Sequence, residues 1–467
     1  MASINTNIPS LTAQHDLARA QKDLTQSLRR LSSGVRINSA ADDPAGLIIG
    51  ELLRSETTAI GRAIANTTRA TNIIATTEGA LNEVNSLLID IRDKVLQAAS
   101  KGALSTQEID ANQLQIDSAV KSIARVANST AFGGRTLLNG NLDYVYSGIA
   151  AASIDGATVY AAQFGVNSNI PVAVTITHAA SAALTIFGAA GVGTTGATVQ
   201  ISGTKGSEVL SFVGSTHSSA IAFAINVVKD TTGVSAKMSG TAIRLNSSDV
   251  GLAQFVAVET IAGTFATTVR RDVGSDALAT VNGAKTDSRG NTLNVNSVNL
   301  QARIDLKAGA AAGSTTFYVT GGGALFQIGP KVDFNGQYNI GVQSINPAKL
   351  GRAGVGFLNQ IVTGGQYSLG TTGGAGTASR ILDEAILAVS TQRGRLGALQ
   401  RNTLETNVNS LNVALENVMA AQSDIRDTDF AMETANMTRA EILVSAGTSV
   451  LQTANTIPQS VLALLGR

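Results

Sequence analysis

The residues most suggestive of chemistry crowd into one short stretch, LSSGVRINSAADDPAG, which holds Ser32, Ser33, Arg36, Asp42 and Asp43. Paired carboxylates share acid–base work only where burial or geometry drives their pKa values apart. Adjacent residues point in different directions on most backbones, and no His or Lys stands beside the serines to activate them. The same residue types suit a joint between structural parts. Gly34 can end a helix in the left-handed conformation. Asp42 or Asp43 can cap a new helix that has Pro44 at its first position. Gly34, Arg36, Asp42, Asp43 and Pro44 are therefore read as a joint, and no catalytic residue is assigned.

Other chemistry finds little support. His15, His178 and His217 lie far apart, and none stands in a metal-binding spacing such as H-E-x-x-H. Glycine clusters such as GGG at 321–323 match neither phosphate-binding pattern, so they are read as turns and no cofactor is expected. The chain has no cysteine, which removes disulfides, thiol catalysis and thiolate metal sites. Its formal net charge is +1 without long single-sign runs, which argues against a nucleic-acid groove or an anionic-membrane anchor. Apolar stretches break well short of the roughly 18 residues a membrane span needs. The start, MASINTNIPSLTAQHD, lacks the basic and apolar regions of a cleaved secretory signal.

Whatever these residues do, longer elements must position them. Of 47 glycines, 9 fall in residues 1–146 and 4 in 377–467, leaving 34 between. Glycine is costly inside helices, so both ends can be helical where the middle cannot. Ile60, Thr67, Ile74, Leu81, Leu88 and Val95 recur at heptad spacing, and Leu404, Val408, Leu411, Leu415 and Val418 step by fours and threes. Such a narrow apolar stripe is the seam of a coiled coil. Ser105 or Thr106 followed by Glu108 predicts a further helix start. The first residues supply the stripe Ile4, Ile8, Leu11, Leu17, Leu24, Leu28 and Leu31. The last supply Leu443, Val450, Leu451, Ile457, Val461, Leu464 and Leu465, interrupted by Pro458. Neither stripe can satisfy itself. The economical arrangement pairs the two ends with each other and leaves their remaining apolar surface to other copies.

The middle reads as β structure. VAVTITH, TVQIS, EVLSFVG, TAIRLNS, QFVAVET and STTFYVTG are short, β-branched and separated by turn residues. SSAIAFAINVVK reads as an amphipathic helix among them, and GGAGTAS at 373–379 as a flexible return to the helical core.

These residues carry a family resemblance. SLRRLSSGVRINSAADDPAGLIIGELL and NSTAFGGRTLLNG near one end resemble bacterial flagellin. So do RGRLGALQRN, SDIRDTDFAMETANMTRAEIL and SAGTSVLQTANTIPQSVLALLGR near the other. The resemblance covers about 1–146 and 377–467, with several motifs in the same order. It implies an α+β fold in which both termini form a long coiled-coil core around an inserted β-rich variable domain. Residues 1–43 and 425–467 would form an inner layer, with 44–146 and 377–424 in the next, including a β-hairpin after Phe132. Residues 147–376 would face outward. The implied function is a structural subunit that self-assembles into the extracellular filament, a propeller for motility.

The implied partners are other copies of the chain, the flagellar type III export apparatus, an export chaperone, the filament cap and the hook-junction proteins. Flagellins detected by the animal Toll-like receptor carry a segment resembling R-x-R-E-L. The aligned positions here are Asp90, Arg92, Asp93 and Lys94. One charge is reversed and an apolar side chain gives way to lysine, so activation is expected to be weak. A hook–filament junction protein would share related ends, and a coiled-coil surface adhesin would show one continuous stalk. The match at both termini, through SVLALLGR, favours the filament subunit.

Overall fold

The computed structural model describes residues 6–100, 104–164, 169–187, 195–240, 242–265, 270–297, 299–371 and 373–465, with side chains to residue 457. Its helices are α1 (Ile8–Ser33), α2 (Pro44–Ala99), α3 (Thr106–Ser129), α4 (Ser218–Val227), α5 (Lys229–Thr232), α6 (Gly374–Leu399), α7 (Thr406–Arg426) and α8 (Phe430–Leu465). Helical residues therefore bracket a strand-rich middle. The chain divides into two compact units. One comprises 1–68, 328–331 and 405–467, and the other 69–327 and 332–404.

In the first unit α1 and α8 run antiparallel. Asn7 Nδ2 donates to the Ala454 carbonyl at 2.9 Å, while Arg30 at the other end of α1 pairs with Glu433. Asn7 also caps α1, its side chain accepting from the Ser10 N–H at 3.1 Å. The α8 assignment continues through Pro458. Helices α2 and α7 pack through Ile60, Ala63 and Leu411, flanked by Ile64, Ala414, Leu415 and Val418. Asn407 Nδ2 donates to the Ile328 carbonyl at 2.8 Å, fastening the 328–331 segment to α7.

The second unit holds the rest of α2 with α3 and α6. Ala70, Ile74, Thr77, Leu81, Val84, Leu88, Ile91, Val95 and Ala98 are all buried and alternate steps of four and three. Ion pairs Arg393–Glu78 at 3.9 Å and Arg92–Asp383 at 3.2 Å make α6 antiparallel to α2. These pairs are partly exposed and contribute little, so aliphatic burial holds the helices together. Ser105 and Glu108 form a reciprocal capping box at the start of α3. Buried Gln113 satisfies both ends of its amide, Nε2 donating to the Ile361 carbonyl at 2.9 Å and Oε1 accepting from the Leu369 N–H at 2.8 Å. The GGAGTAS return is helical from Gly374 rather than flexible. A side chain at Gly374 would collide with the Ser368 carbonyl and the Thr371 hydroxyl, so this glycine serves close packing.

The strand-rich part contains two cores. One lies between antiparallel sheets of five and four strands and includes Val172, Val174, Ile176, Leu293, Ile304 and Phe317. The other spans residues 183–265, where sheets of three and four strands enclose Val199, Ile201, Leu245 and Val256 with Ile221 and Ile225 of α4. The second core is inserted between strands Ile170–His178 and Leu278–Val281, which pair with each other.

Leu88→Ala should lower the unfolding free energy by about 2–5 kcal/mol, because Leu88 is fully buried. Its helical neighbour Ile89 is 52% exposed, so Ile89→Ala should shift it by no more than about 0.5 kcal/mol. Denaturant unfolding followed by circular dichroism checks both.

Candidate assembly surface and interhelical joint

Gly34 ends α1 with φ at 74°, and its N–H donates to the Arg30 carbonyl at 2.8 Å. Asp42 then organises the turn. Its Oδ2 accepts from the Asn38 N–H at 3.2 Å, the Ser39 N–H at 2.9 Å and the Ser39 hydroxyl at 3.0 Å. Those bonds from Ser39 hold its carboxyl below the ordinary carboxylate range. Asp43 caps α2, Oδ1 accepting from the Gly46 N–H at 2.9 Å, and Pro44 takes the first helical position. A side chain at Gly46 would strike Asp43 and Ile37, which explains the glycine.

Sequence reading missed the partner of this joint. The break between α7 and α8 lies alongside it, and Val35 bridges Asp427 as a short antiparallel pair. The Arg36 N–H donates to the Arg426 carbonyl at 2.7 Å, and the Thr428 N–H to the Gly34 carbonyl at 3.0 Å. Arg36 Nη2 adds a bond to the Ile425 carbonyl at 2.6 Å. Asp429 caps α8 by accepting from the Ala431 and Met432 N–H groups at 2.9 and 3.1 Å. The available signal was D-T-D directly before the apolar run of α8, the same N-cap chemistry as D-D-P.

The terminal stripes separate into two groups. The covered face of α1 is Ser10, Ala13, Leu17, Ala20, Leu24, Ser27 and Leu31, and that of α8 is Glu433, Met437, Ala440, Val444, Gly447, Leu451 and Ala454. Both faces alternate steps of three and four, the spacing of a coiled-coil seam. Leu17, Leu24, Leu31 and Leu451 thus lie on the seam within one chain. Ile8, Leu11 and Leu28 do not, at 64, 57 and 51% exposure. Neither do Leu443, Val450 and Ile457, at 52, 57 and 49%. Ile4 and the side chains of Val461, Leu464 and Leu465 fall outside the described residues. Once the seam is filled, α8 keeps an exposed apolar row at heptad spacing, Leu443, Val450 and Ile457, and α1 keeps separate exposed apolar side chains, Ile8 and Leu11 near its start and Leu28 near its end.

On α2, Asp90, Arg92 and Asp93 are exposed and Lys94 is half-buried. Arg92 pairs with Asp383 at 3.2 Å, and Asp93 accepts from Gln97 Nε2 at 2.7 Å and pairs with Lys94 at 3.3 Å. The local charges are thus partly engaged within the chain.

A cleft of about 430 Å³ in the second unit gathers more charge, and its two arginines are paired with carboxylates. Arg352 meets Asp305 at 2.9 Å and Glu384 at 3.6 Å, while Arg303 meets Asp305 at 3.3 Å. Among the described residues no cluster of three or more His, Asp or Glu side chains could hold a metal ion, and no helix is long and apolar enough to cross a membrane.

Comparison with known proteins fits this geometry. Residues 4–143 match the family model of the bacterial flagellin N-terminal helical region, and residues 380–465 that of the C-terminal helical region. Flagellin B of Vibrio cholerae is 30% identical over 468 residues, covering 99% of each chain. B-type flagellin of Pseudomonas aeruginosa is 29% identical over 516 residues, again covering 99% of each. The solved structure of FliC from Burkholderia pseudomallei covers 71% of this chain and 98% of its own, at 15% identity and a TM-score of 0.25.

Asp42→Ala should speed hydrogen exchange at the Asn38 and Ser39 amides at neutral pH. Because the folded-state pKa of Asp42 is depressed, its contribution is present above the unfolded carboxylate value and is lost as pH falls through the lower folded value. Wild-type protection should therefore fade only on acidification below the ordinary carboxylate range. Gly34→Val should cost at least about 1–2 kcal/mol, since a side chain there meets no neighbour but must take a left-handed backbone. Thermal unfolding of the terminal helices checks it.

Proposed function

The chain belongs to the bacterial flagellin family and is a structural subunit of the extracellular flagellar filament, not an enzyme; from that premise we propose which surfaces build the tube. Residues 1–43 with 425–467 form the inner layer, and 44–146 with 377–424 the layer around it. Residues 147–376 face solvent. The observation that carries this reading is the exposed apolar row Leu443, Val450 and Ile457 left on α8, with Ile8, Leu11 and Leu28 exposed on α1, after their mutual seam is filled. A row of aliphatic side chains this exposed is stabilised by burial, at about 25 cal/mol per Å² of apolar surface. In a filament the cover is another copy, through heterologous contacts repeated helically.

Both helix breaks lie side by side at the joint, which supports a crossing of both termini between layers together. Before assembly the α8 row is the surface that an export chaperone masks, and the flagellar export apparatus delivers the chain to the growing tip. There it meets the filament cap, while the first copies meet hook-junction proteins. Small alternative packings between neighbouring strands of copies supply the supercoil that makes a propeller. Recognition by the animal Toll-like receptor is weak on this reading. Asp90 presents the wrong charge, Lys94 stands in place of an apolar side chain, and Arg92 is already engaged by Asp383.

Replacing Leu443 and Val450 together by Asp should abolish polymerisation while leaving unfolding of the second unit unchanged. Electron microscopy and calorimetry read the two outcomes, and normal filaments would refute the assignment. Asp90→Arg with Lys94→Leu should raise receptor signalling in reporter cells by at least about tenfold, a differential of roughly 1.4 kcal/mol at the interface. Equal signalling by both chains would count against the receptor reading.

A further inference from the structure

Among the described residues Glu433 is the only buried acidic or basic residue, and it lies on the α1–α8 seam. Its partner is Arg30, Nη1 to Oε2 at 3.5 Å. The apolar seam around this pair specifies its alignment poorly. The antiparallel contacts put Leu17 against Gly447 and, one heptad on, set Leu24 opposite Ala440. Conversely Ala13, Ala20 and Ser27 stand opposite Leu451, Val444 and Met437. From Ala13 to Ser27 large faces small, and a slip of one heptad sets Leu17 against a small residue again, Ala440 or Ala454.

The charges do not tolerate that slip. One direction brings Glu433 to Asp23, like charge against like, and carries Arg30 beyond the start of α8. The other brings Glu433 to Ile37, beyond the end of α1, and Arg30 to Ala440. Either way a buried carboxylate is left without its partner, which is strongly unfavourable. We propose that the Arg30–Glu433 pair is the register key of the paired termini, a positioning pair that fixes α1 against α8 so that the breaks at Gly34 and Asp427 meet. A buried polar group that sets register at some cost in stability is a known use of such residues in coiled coils. The proposal rests on the reading of α1 and α8 as the inner layer.

The absence of cysteine makes register directly readable in the full-length chain. A Cβ at position 447 would lie 3.6 Å from the Leu17 Cβ, within disulfide spacing. Leu17→Cys with Gly447→Cys therefore reports native register. Leu17→Cys with Ala440→Cys, or with Ala454→Cys, reports the two slips. Filaments are oxidised and dissociated, and intrachain cross-links are quantified by mass spectrometry. With Arg30 and Glu433 intact, only the 17–447 bond should form.

Glu433→Gln, which keeps the volume and removes the charge, should raise the slipped products relative to native by roughly five- to thirtyfold. Arg30→Glu should cause a larger loss of the native bond, in filaments or in soluble chains where none assemble, and adding Glu433→Arg should restore it. Exclusive 17–447 cross-linking in Glu433→Gln, or failure of the charge swap to restore that bond, would overturn the register key. The inner-layer reading stands or falls separately, on polymerisation of the Leu443 and Val450 variant.

Discussion

A helix with apolar surface on two faces cannot bury both against one partner helix, and this constraint governs both ends of the chain. The seam of α1 uses Ser10, Ala13, Ala20 and Ser27 alternating with leucines, and α8 answers with Ala440, Gly447 and Ala454. Small residues bring the two backbones close and complete the pairing within one molecule. Ile8, Leu11, Leu28, Leu443, Val450 and Ile457 stay exposed outside that seam. Folding of the single chain thus leaves apolar surface exposed, which the proposed association would bury.

The paired breaks follow from the same constraint. Two antiparallel helices that break together need their ends at one level. Gly34 and Asp427 meet that need through the Val35–Asp427 bridge and the bonds from Arg36 to the carbonyls of Ile425 and Arg426. Asp42, Asp43 and Asp429 then direct their carboxylates at backbone N–H groups, which restarts the chain in new helices. The acidic pair that resembled an active site accepts hydrogen bonds from the backbone, the role of a turn and a cap.

Much of this was legible because it depends on local spacing. The heptads of α2, the Ser105–Glu108 box, the Gly34 stop and the Asp–Asp–Pro start are encoded within a few residues, and each forms where its chemistry requires. Three features were not legible from spacing, two of them because they depend on contacts distant in sequence. Residues at heptad spacing from Leu17 and from Leu443 look alike, yet Leu17 lies on the seam and Leu443 is exposed, because the position of α8 decides. The GGAGTAS segment read as a flexible return, but the Ser368 carbonyl beside Gly374 makes that residue a packing glycine. The two β cores share one composition, and only the pairing of Ile170–His178 with Leu278–Val281 shows that one is inserted in the other.

The central claim is that the seam is filled within a chain and the outer rows are filled between chains. A cryo-electron microscopy map of the assembled filament at side-chain resolution tests it most directly. The account predicts Leu17, Leu24 and Leu451 packed inside one subunit, with Ile8, Leu11, Leu28, Leu443 and Val450 against neighbouring subunits. A map in which those outer rows face water, or in which α1 pairs along its seam with α8 of another copy, would contradict it.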